Sequence, residues 1–178
     1  MIDFEKLAGT EKYEMVTSFQ IDFIDFIPVQ ENIIAVLSED SLSFYDFDKS
    51  LNLNKKIKIQ GGTKISNFND KYLLYGTQKE IVIFDHINYK HVKSLPFIYP
   101  LRVIYVKENI VLIGESARYN IETHSAYNGI GEYEIDDNGN YKQLSYITNA
   151  HKNELNDITI VKDGRLISSS CENVKIWS

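Results

Sequence analysis

Cysteine, proline and tryptophan are scarce in this sequence. Its 178 residues contain one cysteine, three prolines and one tryptophan. Because Cys171 has no second cysteine to pair with, a disulfide within the chain is excluded, and such cysteine usage is typical of a reducing compartment. No apolar run approaches the ~18 residues of a membrane-spanning helix. The start lacks the basic and apolar segments of a signal peptide. These absences favour a cytoplasmic protein.

Positive charge is also in short supply. Nineteen Lys and Arg residues stand against 25 Asp and Glu residues, which gives a formal net charge of −6. This balance argues against general affinity for nucleic acid or for anionic membranes. The one basic run, at residues 55–58, is interpreted as the solvent-facing side of a strand.

Residues arranged for catalysis or for metal binding are not evident either. None of the four histidines has a metal-ligand spacing with another histidine or with Cys171. The pair His86 and His91 flanks a turn, so both side chains are expected to be exposed. There is no Gly-X-Ser-X-Gly motif, and Gly61 and Gly62 precede a strand instead of the helix that a phosphate loop requires. The sequence therefore predicts no catalytic residue, no metal site and no cofactor.

Alternation of apolar and polar residues dominates the sequence from residue 13 onward, in short runs rich in Ile, Val, Tyr and Phe. A period of two residues is that of half-buried β-strands, and no stretch shows a strong helical period. Turn-forming pairs such as Asp163 with Gly164 separate these runs. Short strands at regular spacing predict an all-β sandwich, barrel or propeller.

A longer period decides among these three folds. One unit occurs four times: an apolar strand, a turn, a very apolar strand, a polar hairpin and a last strand that usually ends in Asp. Successive copies are about 40 residues apart, with one longer step. Their closing positions are Asp46, Asp85, Asp136 and Ser178. A repeat of this length, made of strands alone, predicts propeller blades of four antiparallel strands.

The phase of the repeat divides the chain into a lead-in at residues 1–12 and four blades at about 13–46, 47–85, 86–136 and 137–178. The outermost strand of a blade is expected just after its closing position, at 55–60, 91–95 and 141–147. On this count the last blade lacks an outer strand, and residues 13–19 provide one strand in excess. Start and end are therefore in phase for ring closure.

The last repeat resembles the WD-repeat family. It contains His151 after a small residue, Asp163 and Gly164 at a tight turn, a Leu-Ile-Ser-Ser run from Leu166, and Val-Lys-Ile-Trp ending at Trp177. The other three repeats match the family in architecture but have neither the His nor the Trp. The resemblance extends over nearly the whole chain and implies a WD-type β-propeller.

The resemblance also implies a structural hydrogen-bond network. In that family a His, a strand Ser, a turn acid and the Trp form a buried chain that stiffens a blade. Carried over to this sequence, the members are His151, Ser169 and Trp177. The hairpin is one residue shorter than in the family, so either Glu172 takes the place of the turn acid or the network is incomplete. Such groups are structural, since a buried polar group without a partner costs about 1–3 kcal/mol.

The third repeat is longer than the others because of an insertion between Glu115 and Gly131. It is predicted to lengthen the hairpin between the second and third strands of that blade, as a mobile loop on the face that WD-repeat proteins often use for partners. Tyr and Arg are adaptable contact residues, although a tolerated insertion without a role is an equally good interpretation. The candidate partner-binding residues are Arg118, Tyr119, His124 and Tyr127.

Four blades are fewer than is common in the WD-repeat family. An open arc would leave apolar faces uncovered at its two ends, so completion is expected. The ring would be completed by a second copy, by another chain, or by further residues if the sequence is a piece of a longer protein.

These features predict a non-catalytic scaffold or adaptor that binds other proteins within an assembly. One alternative is a substrate-recognition subunit of a ubiquitin ligase or of a signalling complex. A second alternative is a propeller hydrolase, which would need acidic residues or a metal in the central channel. The expected partners are proteins, including a second copy, and neither nucleic acid nor a membrane.

Overall fold

The computed structural model describes residues 22–47, 52–96, 101–120, 125–136, 138 and 140–178. These residues form fifteen strands in four antiparallel sheets. Among them there is no helix with the length and apolar composition that a bilayer span requires. The predicted lead-in at 1–12 and the predicted strand at 13–19 lie outside the described residues.

Each sheet is a meander in which strands adjacent in sequence are also adjacent in space. The first sheet consists of β1 (Asp25–Gln30), β2 (Ile33–Leu37), β3 (Ser41–Asp46) and β4 (Asn52–Lys58). The second consists of β5 (Lys64–Asn67), β6 (Tyr72–Gly76), β7 (Glu80–Asp85) and β8 (Lys90–Pro96). The third consists of β9 (Leu101–Lys107), β10 (Ile110–Asn120), β11 (Ser125–Ile135) and β12 (Tyr141–His151). The fourth consists of β13 (Leu155–Ile160), β14 (Leu166–Ser170) and β15 (Val174–Trp177).

The four sheets are the blades of a β-propeller, as the repeat predicts. Their first strands contact one another in chain order, β1 with β5, β5 with β9 and β9 with β13. No contact of this extent joins β1 to β13 in the described part of the chain, so these blades form an open arc. The outer strands β4, β8 and β12 follow the closing positions where they were expected.

The core lies between the blades instead of within a single sheet. Three clusters of buried side chains fill the three gaps between successive blades. On β7, Ile81 and Ile83 belong to the cluster shared with the third blade, whereas Val82 and Phe84 belong to the cluster shared with the first. Side chains alternate along a strand, so β7 buries both of its faces.

The outer strand of the first blade is exposed and rich in lysine. On β4, Lys55, Lys56 and Lys58 are exposed, as the sequence predicts, while Ile57 packs against the cluster between the first two blades. Charged side chains on an edge strand oppose edge-to-edge pairing with another chain.

The register between the second and third strands shows which residue closes each repeat. Asp46 pairs with Ile33, and Asp85 pairs with Tyr72. In the third blade Ile110 pairs with Glu134, so the closing residue is Glu134, two positions before the predicted Asp136. The residues that precede the closing position are therefore aromatic in the first three blades, namely Tyr45, Phe84 and Tyr133. In the fourth blade Trp177 occupies this place, paired with Leu166.

The insertion lengthens the central hairpin of the third blade, as the sequence predicts, but much of it is paired strand instead of a mobile loop. Arg118 pairs with Tyr127 and Tyr119 pairs with Ala126, after a register shift beyond Glu115. The residues that continue the pairing, at 116–120 and 125–127, contain no Gly or Pro that would end it, so the backbone hydrogen bonds continue. We call residues 116–120 and 125–127 the ribbon. His124 lies outside the described residues.

Candidate functional site

The junction between the third and fourth blades contains a chain of three hydrogen-bonded side chains. His151 ends β12, Ser168 lies in the middle of β14, and both are 1% exposed. Ser168 Oγ is 2.8 Å from His151 Nε2, and Trp177 Nε1 donates a hydrogen bond to the same oxygen at 2.8 Å. One serine hydroxyl therefore connects the third blade to the last strand of the fourth.

The serine in this network is Ser168 and not the predicted Ser169. Trp177 pairs with Leu166, and Lys175 pairs with Ser168, which places Ser168 on the same face of the sheet as the indole. Because successive side chains point to opposite faces, Ser169 lies on the other face. A shift of one residue is enough to exchange the two serines.

Glu172, the predicted substitute for the turn acid, does not join the network. It is exposed, and among the described residues no hydrogen bond connects its carboxylate to His151. Lys175 occupies the junction instead. Its Nζ donates to the carbonyl oxygen of Ala150 at 2.6 Å and lies 5.4 Å from the centre of the Trp177 ring, in a cation–π contact.

His151 is held neutral by its surroundings. Burial lowers its pKa below the ordinary 6.5, and so does the nearby ammonium of Lys175. These effects outweigh the opposing effect of the Asn173 side chain. Nδ1 of the ring has no hydrogen-bond partner among the described residues. A neutral, buried imidazole bonded to a serine is consistent with the structural role that the resemblance implies for His151.

The base of the ribbon is tied to this junction by buried polar groups that sequence reasoning did not identify. Glu115 and Asn128 are each 2% exposed. Tyr146 Oη donates to the Glu115 carboxylate at 2.8 Å, and Asn128 Nδ2 donates to the carbonyl oxygens of His151 and Lys152, both at 3.4 Å. In the sequence, the only sign of this contact is that Glu115 follows a strongly apolar run. A polar residue in that place is also what an ordinary turn would have.

A second buried histidine contradicts the expectation of exposure. His86 is 2% exposed, whereas His91 is exposed as predicted and contacts Ser94. The backbone of His86 donates to the carbonyl oxygen of Lys71, which brings the β5–β6 hairpin over it. Burial lowers the pKa of His86, against the opposing effect of Asp85. The residues that bury His86 are fifteen or so positions away, so a local pattern does not reveal them.

An open cleft adjoins the junction. It has a volume of about 320 Å³ and is lined mainly by apolar side chains of the third and fourth blades, among them Leu112, Ile147 and Trp177. Within the described part of the chain, no group of three His, Cys, Asp or Glu residues is arranged to hold a metal ion.

Solved structures similar to this chain are β-propellers. The WD40 propeller domain of Doa1 is 14% identical with a TM-score of 0.67, and the match covers 92% of this chain and 53% of that one. The complex of KlAtg21 with the coiled coil of AgAtg16 is 12% identical with a TM-score of 0.59, covering 82% and 48%. The dihydro-heme d1 dehydrogenase NirN is 13% identical with a TM-score of 0.60, covering 83% and 32%.

These likenesses show the fold and nothing finer, because the identities are low. No protein-family model matches the sequence, and no curated protein matches it either. The chain spans about half the length of the Doa1 and KlAtg21 chains.

Replacing Ser168 by Ala is expected to destabilise the fold by about 1–3 kcal/mol, because His151 Nε2 and Trp177 Nε1 lose their shared partner in a buried position. Ser169→Ala is the matched control, with an expected change within about 0.5 kcal/mol. Urea unfolding followed by tryptophan fluorescence measures both. An equal loss of unfolding free energy in the two variants would contradict the assignment of Ser168 as the serine that His151 and Trp177 share.

Acidification is expected to weaken the fold in the range where free histidine titrates. The pKa of His151 is lowered in the folded state, so the unfolded state takes up a proton first, and stability falls as the pH drops below about 6.5. His151→Gln should flatten this part of the profile while lowering stability at neutral pH. Burial lowers the pKa of His86 as well, so the part of the slope that is due to His86 should remain in this variant. The measurement is the urea midpoint between about pH 8 and pH 5.5, and an unchanged slope in His151→Gln would refute the assignment.

Proposed function

We propose that this chain is a WD-type, non-catalytic scaffold that binds other proteins in the cytoplasm, with the ribbon of the third blade as a contact element. The observation that carries the proposal is the departure of this blade from the repeat. The two strands continue beyond the sheet as paired backbone, and buried contacts of Glu115 and Asn128 fix their base. Paired backbone loses less entropy on binding than a free loop does.

The composition of the ribbon supports a role in binding. Arg118, Tyr119 and Tyr127 all lie in paired backbone, and Tyr and Arg are enriched among residues that dominate protein interfaces. The similar KlAtg21 propeller is seen in complex with a coiled coil. A protein partner for this chain is consistent with that precedent.

Completion of the propeller by a second copy or by another chain is part of the proposal. Large apolar side chains are exposed on both end blades, with Phe23 and Phe26 on the first and Val174 and Ile176 on the fourth. Exposed apolar patches of this kind mark interaction surfaces in soluble proteins. Further residues of a longer chain would cover the same faces.

An enzymatic role has less support. NirN is a dehydrogenase with a similar fold, and a propeller hydrolase would need free carboxylates on the inner strands. On β1, however, Asp25 accepts from the backbone of Ile65 at 3.1 Å and forms an ion pair with Lys64 at 3.1 Å. Its role is to join the first two blades. No observation on the described residues favours a ubiquitin-ligase subunit over a general adaptor.

Replacing Arg118, Tyr119 and Tyr127 together by Ala is expected to remove the partners that bind through the ribbon while leaving Tm unchanged, because none of the three belongs to the core clusters between the blades. Quantitative affinity purification from the source cells, compared with the wild-type chain, measures the loss. A triple Ala variant at Lys55, Lys58 and Lys90, which are exposed on outer strands, is the control. If both triple variants retain the same partners as the wild type, the ribbon is not the contact element.

A further inference from the structure

The open cleft between the third and fourth blades combines apolar walls with one carboxylate. Among the described residues that line it, Glu132 has the one charged side chain. The walls include Leu112 and Ile147 of the third blade and Leu166 and Trp177 of the fourth. Apolar walls with a small number of polar groups are the usual form of a ligand site, and the volume of about 320 Å³ is large enough for one.

Glu132 departs from the repeat. It pairs with Leu112 and lies two positions before the closing residue of its blade. The equivalent residues, counted in the same way, are Phe44 in the first blade and Ile83 in the second. Phe44 is 0% exposed and Ile83 is 1% exposed, each in the core against the next blade. A carboxylate therefore stands where the first two junctions have a large apolar side chain, and the cleft lies beside it.

The charge of Glu132 is not balanced within the described part of the chain. The side chain is half-buried, and its Oε2 accepts a hydrogen bond from Ser145 Oγ at 2.7 Å. None of the ion pairs between described residues includes it. On the fourth blade, Arg165 is bonded to Asp163 at 2.7 Å, and Lys175 donates to a backbone carbonyl oxygen. An unpaired carboxylate between apolar walls attracts a cation, because such walls concentrate its field.

The walls and the carboxylate together select the ligand. A metal ion does not suit this cleft, because hard cations need several oxygen ligands and no three His, Cys, Asp or Glu residues of the described chain converge. An arginine side chain suits both parts of the lining. Its aliphatic stem packs on apolar surface, its guanidinium donates two parallel hydrogen bonds to a carboxylate, and the same group stacks on aromatic rings such as that of Trp177.

We propose that this cleft binds an arginine side chain of a partner protein. The guanidinium would donate to the carboxylate of Glu132, and the aliphatic stem would pack against Leu112 and Ile147. The inference rests on the proposed protein-binding function and names the chemistry of one partner. The variants that test it are different from those that test the ribbon.

Tryptophan fluorescence of the full chain measures binding directly, because Trp177 is the only tryptophan and lines the cleft. The probe is the peptide acetyl-Gly-Ser-Arg-Ser-Gly-amide, and a saturable change in emission is expected. The same peptide with citrulline, which has the shape of arginine without its charge, should bind about fivefold more weakly. Equal affinity for the two peptides, or no saturable change with the arginine peptide, would overturn the proposal.

Glu132→Gln removes the charge and keeps the shape of the side chain. It is expected to weaken binding of the arginine peptide by about fivefold, the upper range for an exposed ion pair. Glu134→Gln is the matched control, since Glu134 lies on the same strand, is exposed and is not part of the described lining. Its binding should be unchanged. Equal weakening in the two variants would mean that only general charge attraction is present, which contradicts the proposal.

Glu132→Ile restores the type of residue that the second blade has at this position, Ile83. It is expected to abolish binding of the arginine peptide and to raise the urea midpoint, because polar groups kept for binding are commonly unfavourable for stability. Retained binding would contradict the proposal. A lower midpoint would assign Glu132 to the stability of the fold and would count against it as well.

Partner capture through the ribbon is measured independently of these peptide titrations. Loss of the arginine site would therefore leave the scaffold function standing, and failure of the ribbon variants would leave the peptide result unchanged.

Discussion

The structure depends on one constraint, which is that the central strands of a blade between two neighbours are buried on both faces. On β7, Ile81 and Ile83 pack toward the third blade while Val82 and Phe84 pack toward the first. Burial of both faces packs the second blade against two neighbours and fixes its register, because a slip of one residue would exchange the two sets of contacts. The outer strands are not buried on both faces, and several of their lysines are therefore exposed.

The end blades show what happens where a neighbour is missing. On the first blade, the outward face contains Ser43 and an acidic cavity, whereas the same face of the second blade is apolar. At the other end, Trp177 is bonded to Ser168, and this serine also bonds His151 of the preceding blade. The hydrogen bonds strengthen a junction whose apolar cleft is still open.

The blades and their outer strands could be predicted from the sequence, because alternation and a long period are properties of the backbone and the core. The hydrogen-bond network at the junction of the third and fourth blades was harder to predict from the sequence. Three consecutive serines, Ser168 to Ser170, give no contrast between the two faces, so only the pairing of Lys175 distinguishes Ser168 from Ser169. The burial of His86 depends on the hairpin at Lys71, which lies in another part of the sheet. Contacts of this kind are set by tertiary structure.

Hydrogen exchange of the native chain tests the central claim that blades are stabilised by burial of both faces. The account predicts that the amides of β6 and β7 exchange slowest, near the limit of global unfolding. The amides of β8, in the same sheet but mostly exposed, should exchange through local opening at much faster rates. Equal protection across β6, β7 and β8 would contradict the account, because it would show that each sheet is stabilised as a separate unit.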